Sequence, residues 1–224
     1  DITVLLSTRN RADILAGTLR ALARVDAPAG RWELLVVDNG STDHTAAVCE
    51  VVSDRLPLRR VVETQPGTGP ARNTGVRQAR GRLVALIDDD ITPCAGWLRA
   101  YEAAANRRRD AVAFAGPVEP MLPEGAPAWL ATADFAGYAY ARTARLPDAG
   151  DYAFPDVPAG GNMAVRREVF TEGGFRFDPA LGPRGARRIA GHEVDFFRRL
   201  MSGGGCVAYV PEARVRHRIQ PHQT

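Results

Sequence analysis

Short apolar runs alternate with helical apolar spacing along most of the chain. Runs rich in β-branched residues predict strands at 2–6, 34–37, 61–62, 83–87, 111–115 and 206–210. Apolar residues three or four positions apart predict a helix through Leu15, Leu19 and Leu22, and further helices at 46–52, 71–79, 97–105 and 192–201. Alternation of this kind predicts an α/β fold whose mainly parallel sheet carries helices on both faces.

The segment 119–158 interrupts this alternation. It contains six prolines and six aromatic residues, namely Trp129, Phe135, Tyr138, Tyr140, Tyr152 and Phe154. Two interpretations stay open: a lid-like insertion over the sheet, or a packed excursion on the surface. Exposed aromatic rings in a lid would suit stacking on a sugar or on another apolar group.

The basic residues are of one kind, because all 29 are arginine and lysine is absent. Any cationic contact to a phosphate must therefore come from arginine, whose planar fork suits phosphate oxygens. The net charge of +3 gives no argument for nucleic-acid binding, so no nucleic-acid partner is expected. The three cysteines form neither a C-x-x-C pair nor a metal spacing, which favours a reduced, cytoplasmic protein.

The sequence contains no apolar stretch as long as a transmembrane helix and no visible signal peptide. The chain starts almost directly in a predicted strand, so we expect that a native leader or tail could be missing. Peripheral membrane contact through such a segment stays open.

Three consecutive acids, Asp88, Asp89 and Asp90, follow the apolar run 83–87. Carboxylates at the mouth of a buried strand repel one another and are costly to desolvate, so they require a positive partner. A hard divalent cation with oxygen ligands is the natural candidate. In extended backbone Asp88 and Asp90 would point to the same side, where both could reach one ion. The alternative is a solvated acidic turn before the next helix.

Polar clusters follow three of the predicted strands, at 7–11, 38–43 and 88–90. Mainly parallel sheets bind their ligands at the carboxyl ends of the strands. Three such clusters on one edge of the sheet are much more specific than any one of them, and they predict a ligand site there.

Seven segments in this order resemble family 2 glycosyltransferases of the nucleotide-diphospho-sugar transferase superfamily. They are 7–11 (STRNR), 37–43 (VDNGSTD), 69–75 (GPARNTG), 88–90 (DDD), 160–163 (GGNM), 192–195 (HEVD) and His217. The resemblance covers nearly the whole chain and implies the GT-A fold, with a Rossmann-like central sheet and an acceptor-side insertion. It also implies transfer of a sugar from a nucleotide diphosphate donor to an acceptor, assisted by Mn²⁺ or Mg²⁺.

The resemblance implies one catalytic domain over 1–224. Its nucleotide-binding half is predicted at 1–116 and its acceptor-binding half at 117–224, with 119–158 as the lid-like part.

The resemblance also distributes roles around the metal. Asp90 is the firmest metal ligand, Asp89 is placed near the donor ribose, and Asp88 near the nucleotide or the metal. His217 stands where the fold often supplies a further ligand, although a lone histidine is more often structural. Since imidazole suits Mn²⁺ better than Mg²⁺, a coordinating His217 would favour Mn²⁺.

The first two polar clusters are expected to bind the nucleotide. Thr8 and Arg11 belong to the nucleotide-contacting loop, and Arg9 stands where the family usually has an aromatic residue, although arginine also stacks on bases. Asp38 is expected to accept a hydrogen bond from a uracil-type ring N–H, which favours a UDP-sugar donor. Its alternative role is local capping of the loop that follows.

Two further segments are expected beside the donor. Arg72 opens the helix after 69–70 and could reach the base or a phosphate, its alternative being a surface salt bridge. Gly161 and Asn162 follow Gly160 in a segment that the resemblance places beside the donor sugar and the acceptor. A pair of glycines there would let the backbone approach a ligand closely, or would simply form a tight turn.

The expected catalytic base lies at 192–195. An inverting transfer needs a carboxylate that takes the proton of the acceptor hydroxyl. The family usually has Glu-Asp here, and the alignment places His192 on the Glu and Glu193 on the Asp. Glu193 is therefore the predicted base, with Asp195 as a fallback or positioning residue. The alternative is that Glu193 merely favours a helix N-terminus.

A glycine- and arginine-rich loop precedes this helix, with Arg184, Arg187 and Arg188. It could order over the pyrophosphate or grip an anionic acceptor, or it could be a solvated charge run.

The predicted function is an inverting, metal-dependent glycosyltransferase acting on a sugar, lipid-linked or small-molecule acceptor. Two alternatives stay open. A sugar-phosphate nucleotidyltransferase would favour a lysine-bearing phosphate loop, which this chain lacks. A catalytically weak nucleotide-sugar-binding module is compatible with the altered Glu-Asp pair at His192 and Glu193.

Overall fold

The computed structural model describes residues 1–132, 150–158, 160–184, 187–189 and 191–221. The strands in these ranges are β1 (Ile2–Thr8), β2 (Trp32–Asp38), β3 (Leu58–Val62), β4 (Leu83–Asp88), β5 (Ile91–Pro93), β6 (Ala111–Ala115), β7 (Val118–Met121), β8 (Asn162–Arg166), β9 (Gly182–Arg184), β10 (Arg187–Ile189), β11 (Cys206–Tyr209) and β12 (Val215–Arg218). The α-helices are α1 (Ala12–Leu22), α2 (Thr45–Val52), α3 (Thr68–Gln78), α4 (Trp97–Arg107), α5 (Arg167–Thr171) and α6 (His192–Ser202), and Ala128–Ala131 forms a 3-10 helix.

Seven strands form the central sheet in the order β11-β6-β8-β4-β1-β2-β3. The four strands β1 to β4 run parallel, as do β6 and β11, while β8 lies antiparallel between β4 and β6. The prediction of an α/β fold with a mainly parallel sheet is confirmed. Since β8 and β11 come from 117–224, the two predicted halves share this sheet.

Strand alternation sends core side chains to two opposite faces of the sheet. Val4 and Leu6 of β1 belong to a core with α1, α2 and α4, while Leu5 belongs to a core with α3, α5 and α6. Because both faces are covered, the central strands are nearly continuous apolar runs. Among the described helices, none is both long and apolar enough to cross a bilayer.

A second sheet, β5-β12-β7, was missed by the sequence predictions. The β12 sequence Val-Arg-His-Arg contains no apolar run, so the pattern put His217 in an arginine-rich tail instead of a strand. Strand β12 pairs antiparallel with β5 and parallel with β7. The first pairing sets His217 opposite Ile91, the residue directly after the acidic triplet. This register brings His217 to the carboxyl end of β4.

Two predicted features lie partly outside the described residues. Of the lid-like segment, Phe135, Tyr138 and Tyr140 fall outside, Trp129 and Phe154 are exposed, and Tyr152 is buried in the core beneath the sheet. Tyr152 is therefore a packing residue and not a lid aromatic. The glycine- and arginine-rich segment contributes the backbone of an antiparallel hairpin, β9 with β10. Its arginine side chains lie outside the described structure.

The buried side chain of Asn162 connects four parts of the fold. Its Oδ1 accepts hydrogen bonds from Trp97 Nε1 at 2.9 Å and from the Tyr101 hydroxyl at 2.8 Å. Its Nδ2 donates to the carbonyls of Pro117 at 3.0 Å and Ala213 at 2.7 Å. Both donors and both acceptor positions of the amide are used inside the core. The Asn162 side chain therefore has a structural role, and donor binding by Asn162 stays a prediction that these contacts do not support.

We expect Asn162→Ala to lower the free energy of unfolding by about 3 kcal/mol, because it strands buried donors and acceptors. Denaturant unfolding measures this loss. The matched control is Asn106→Ala at an exposed position of α4, with an expected change within about 0.5 kcal/mol. Equal losses in the two variants would contradict the structural role of Asn162.

Candidate active site

The carboxyl ends of β1, β2 and β4 open into a cavity of about 660 Å³. In the sheet Thr8 pairs with Asp38 and Ser7 pairs with Asp88, so these three strands end level with one another. The starts of α3 and α6 and strand β12 complete the wall. Nine predicted site residues line this cavity, namely Thr8, Arg9, Arg11, Arg72, Asp88, Asp89, Asp90, Glu193 and His217.

Hydrogen bonds join the loop after β1 to the loop after β2. Asn10 accepts a hydrogen bond from the backbone N–H of Thr42 at 2.7 Å and donates its own N–H to Ser41 Oγ at 3.0 Å. Its φ of +51° suits asparagine better than most residues. Arg11 follows as the N-cap residue of α1. These hydrogen bonds position Arg11 at the edge of the cavity, where it faces the acidic triplet.

Arg11 spans two buried carboxylates. Its Nη1 lies 2.8 Å from Asp89 Oδ1, and its Nη2 lies 2.8 Å from Asp90 Oδ2. Thr8 donates a further hydrogen bond to Asp89 Oδ2 at 2.6 Å. Burial raises the pKa of Asp89 to about 7. For Asp90 the hydrogen bonds and charges of His217 and Arg11 outweigh burial and lower the pKa.

The three acids of the triplet do not face one common ion, as the sequence analysis expected for Asp88 and Asp90. Strand β4 ends at Asp88, and a turn at 89–90 replaces the extended backbone that would have aimed Asp88 and Asp90 at one ion. Asp89 and Asp90 share Arg11, whereas Asp88 Oδ1 accepts from Arg72 Nη2 at 2.8 Å. Of the three predicted metal ligands, Asp90 and His217 therefore lie close to each other, whereas Asp88 pairs with Arg72.

His217 approaches the acidic turn from β12. Its Nε2 lies 3.6 Å from Asp90 Oδ2, and both residues line the cavity. A carboxylate oxygen and an imidazole nitrogen suit a divalent ion such as Mn²⁺. Within the described ranges, no cluster of three or more His, Cys, Asp or Glu side chains is arranged for a metal. The residues thus fit a cation that takes two protein ligands and completes its coordination with atoms from outside the chain.

The acidic turn is held by a group of residues that the sequence predictions missed. Thr18 Oγ1 donates to the Asp89 carbonyl at 2.5 Å and accepts from Arg218 Nη2 at 2.7 Å. The Arg218 backbone N–H donates to the Asp90 carbonyl at 2.9 Å. A Cβ on Gly17 would stand 1.8 Å from Arg218 Nη1, so glycine leaves the space for this guanidinium. A glycine inside a helical pattern was the available signal.

Arg72 joins the acidic triplet to the predicted base. Its buried guanidinium donates to Asp88 Oδ1 and to Glu193 Oε1, each at 2.8 Å, and lies 5.4 Å from the centre of the Phe177 ring. The two carboxylates outweigh burial and raise the pKa of Arg72. For Glu193, burial is outweighed by the Arg72 charge and by His192, which lower its pKa to about 2. Arg72 is thus a buried bridge between two acids, and both of its terminal nitrogens bond protein atoms.

His192 was identified in the sequence only as a departure from the family pattern, without a predicted role. It is buried at the start of α6, and its Nε2 lies 2.9 Å both from Arg72 Nη1 and from Glu193 Oε1. Arginine can only donate and an ionised carboxylate can only accept, so the tautomer decides which of the two the ring bonds. The departure from the family's usual Glu-Asp pair was the signal for this position.

Gly160 and Gly161 make room for the two acids that Arg72 joins. A Cβ on Gly160 would lie 2.4 Å from Glu193 Oε1, and a Cβ on Gly161 would lie 3.1 Å from Asp88 Oδ2. Gly161 also has a φ of +85°, a conformation that favours glycine. The close approach expected of this pair is therefore made to protein carboxylates.

Four predicted site residues lie outside the residues that line the cavity, namely Asp38, Gly161, Asn162 and Asp195. Asp38 is buried, accepting from Arg60 Nη1 and from the Ser41 backbone N–H, each at 2.8 Å. This is the local capping arrangement, reinforced by an ion pair. The Asp195 carboxylate forms an ion pair at 2.8 Å with Arg199, one turn further along α6. Neither contact needs a ligand.

The fold and the cavity define an α/β protein with a candidate ligand site where polar loops meet at the carboxyl ends of parallel strands. Comparison with known families makes this specific. The family described as "Glycosyl transferase family 2" matches residues 3–174, and the chain belongs to this family.

Relatives of known name agree with this assignment. The chain is 31% identical over 211 residues to the succinoglycan biosynthesis protein ExoM of Rhizobium meliloti, covering 92% of this chain and 63% of that protein. It is 26% identical over 224 residues to the glycosyltransferase AglE of Haloferax volcanii, covering 98% and 67%. The chain thus spans about two thirds or less of the length of these relatives.

Solved structures share the fold. The Staphylococcus aureus TarS 1–349 structure in complex with UDP superposes with a TM-score of 0.73 at 16% identity, covering all of this chain and 62% of that one. The mannosyltransferase PcManGT of Pyrobaculum calidifontis, in complex with GDP-Man and Mn²⁺, gives 0.67 at 21% identity, covering 98% and 57%. The expected GT-A glycosyltransferase fold is confirmed.

We expect Arg72→Met to lower the free energy of unfolding at pH 7 by about 3–5 kcal/mol, because Glu193 would stay buried and ionised without its partner. The double variant with Glu193→Gln should recover part of that loss, a coupling that denaturant unfolding measures.

The pH dependence supplies the check on this coupling. The pKa of Glu193 is lowered in the folded state from 4.5 to about 2, so the stabilisation is present above pH 4.5. It should disappear as the pH falls through about 2. Strictly additive losses in the two single variants at pH 7 would contradict the pairing.

Proposed function

We propose that this family 2 glycosyltransferase is an inverting enzyme that uses a nucleotide diphosphate sugar and a divalent cation. The observation that carries the proposal is the Arg72 bridge, in which one buried guanidinium contacts both Asp88 of the acidic triplet and Glu193. A candidate base and a candidate diphosphate site therefore lie on the wall of one cavity.

In the proposed step, the acceptor hydroxyl oxygen attacks the anomeric carbon of the donor and its proton passes to a Glu193 carboxylate oxygen. The new carbon–oxygen bond forms while the bond from that carbon to the diphosphate oxygen breaks, and the diphosphate leaves with the electron pair. A single displacement inverts the anomeric carbon and needs no covalent enzyme intermediate. Arg72 keeps Glu193 ionised and holds its carboxylate in place.

Asp90 and His217 are proposed to hold the cation, Mn²⁺ or Mg²⁺, with Mn²⁺ favoured by the imidazole nitrogen. When bound, a divalent cation stabilises the negative charge that develops on the leaving diphosphate. The GT-A structure of PcManGT, which contains Mn²⁺, supports the use of a divalent cation. Thr8, Arg9 and Arg11 on the same wall are proposed to bind the donor, whose phosphate oxygens suit the guanidinium fork.

A UDP-linked donor is proposed from the likeness to TarS, whose structures contain UDP and UDP-GlcNAc. The Asp38 contacts to Arg60 and Ser41 leave the expected uracil contact as a proposal without geometric support. GDP is the competing base, since PcManGT contains GDP-Man. The acceptor class, a cytoplasmic location and peripheral membrane contact stay predictions from the sequence.

We expect Glu193→Gln to lower the rate of sugar transfer or donor hydrolysis about 10²–10⁴-fold, because the amide cannot take the acceptor proton. Donor affinity should stay near wild type, as titration of the donor into the variant measures. Asp195→Asn on the same helix is the comparison, and its loss should be much smaller because Asp195 faces Arg199. Transfer near the wild-type rate in Glu193→Gln, with intact donor binding, would refute the assignment of the base.

A thermal-shift screen tests donor and cation together. With Mn²⁺ present, a UDP-sugar at 100 times its Kd should stabilise the protein by about 2.7 kcal/mol. That corresponds to a rise in Tm of about 5–10 °C for a chain of this size. EDTA, or His217→Ala, should remove most of the rise.

Larger shifts with GDP-sugars would reverse the donor assignment, and EDTA-resistant shifts would reverse the cation assignment. Saturable binding without any release of sugar or nucleotide product would favour the binding-module alternative.

A further inference from the structure

Arg11 occupies the two carboxylates that a cation and a donor would need. From this we infer that Arg11 is a resident counter-ion of the cation site. It offsets part of the charge of Asp89 and Asp90 in the donor-free protein, weakens the binding of a lone divalent cation, and moves onto the diphosphate when cation and donor bind together. The inference rests on the proposed function and names how binding at that same site is coupled.

The first observation is that one carboxylate oxygen of Asp90 lies close to both Arg11 and His217. Asp90 Oδ2 lies 2.8 Å from Arg11 Nη2 and 3.6 Å from His217 Nε2. It is therefore the oxygen that faces both the guanidinium and the second predicted ligand. The other arm of the same guanidinium lies 2.8 Å from Asp89 Oδ1. A cation that binds this oxygen between Asp90 and His217 would share it with the positively charged Arg11.

The second observation is that the Arg11 side chain is partly exposed, whereas that of Arg72 in the same cavity is buried. The Arg11 side chain is 37% exposed on the cavity wall, while that of Arg72 is 3% exposed. Arg11 is the N-cap residue of α1, and within the described part of the chain the ion pairs and hydrogen bonds of its side chain go to Asp89 and Asp90. Rotation of this side chain toward the cavity therefore breaks the ion pairs with these two carboxylates and no other ion pair among the described residues.

Charge explains why the two ligands should bind together. The carboxylates of Asp89 and Asp90 are 4% and 8% exposed, so neither is left without a cation at low cost. A lone dication would meet the positive guanidinium at short range. A bound diphosphate supplies new oxygens for Arg11 and so removes the repulsion. Donor and cation should then increase each other's affinity equally, as linkage requires.

The test compares Arg11→Met with Arg9→Met by Mn²⁺ titration of the donor-free protein, followed by electron paramagnetic resonance of the free ion. Arg9 is the matched control because it removes one positive charge from the same loop and the same cavity wall. We expect Mn²⁺ to bind Arg11→Met about tenfold or more tightly than wild type. The change in Arg9→Met should stay within about threefold.

The second arm repeats the titration with saturating UDP or GDP, whichever the wild type binds. In wild type the nucleotide should tighten Mn²⁺ binding about tenfold or more, and in Arg11→Met this coupling should fall below about threefold. Arg11→Lys keeps the charge but cannot span two carboxylates. The tightening of Mn²⁺ binding by nucleotide in this variant should therefore lie between the values for wild type and Arg11→Met. If Arg11→Met melts early, a larger rise of its Tm with Mn²⁺ than that of wild type supports the same conclusion.

Equal or weaker Mn²⁺ binding by Arg11→Met overturns the inference, as does the absence of Mn²⁺ binding in both proteins. Failure of the proposed function is a separate result. A wild-type protein that binds neither UDP nor GDP and releases no sugar refutes that function. The donor-free titration still decides whether Arg11 competes with the cation.

Discussion

The pairing of desolvated carboxylates with guanidinium groups is the constraint on which the site depends. Parallel strands that end level bring acidic side chains out of water at one edge of the sheet, where unpaired charge is costly. Two arginines compensate the negative charge. Arg72 pairs with both Asp88 and Glu193, and Arg11 pairs with both Asp89 and Asp90. A planar fork that contacts two carboxylates at once suits this task better than an ammonium group.

The backbone around these pairs is shaped to admit them. Gly17 leaves space for Arg218, which holds the acidic turn, and Gly160 leaves space for the Glu193 carboxylate. Strand β12 then carries His217 to the same turn through its pairing with β5. Charge pairing, small residues and strand register therefore act together, and the site is more buried around Arg72 and Glu193 than around Arg11.

This asymmetry connects the structure to the proposed chemistry. The buried guanidinium of Arg72 keeps the candidate base ionised and holds its carboxylate in place. The partly exposed Arg11 lies where a diphosphate and a cation would arrive. The chain belongs to glycosyl transferase family 2, and His192 gives the candidate base Glu193 a neighbour at 2.9 Å.

The sequence alone determined the alternation of strands and helices, the family, and most of the residues that line the cavity. These follow from local patterns: apolar runs mark strands such as β4, and polar loops after parallel strands must meet at one edge. The tertiary structure decided the partners. Nothing in the pattern of β12 indicates a strand, and the burial of Asn162 and the pairing of Asp88 with Arg72 depend on residues far away in sequence. Which acid meets which arginine is set by register and by the space that a glycine leaves, because electrostatic pairing depends on distances that only the folded chain has.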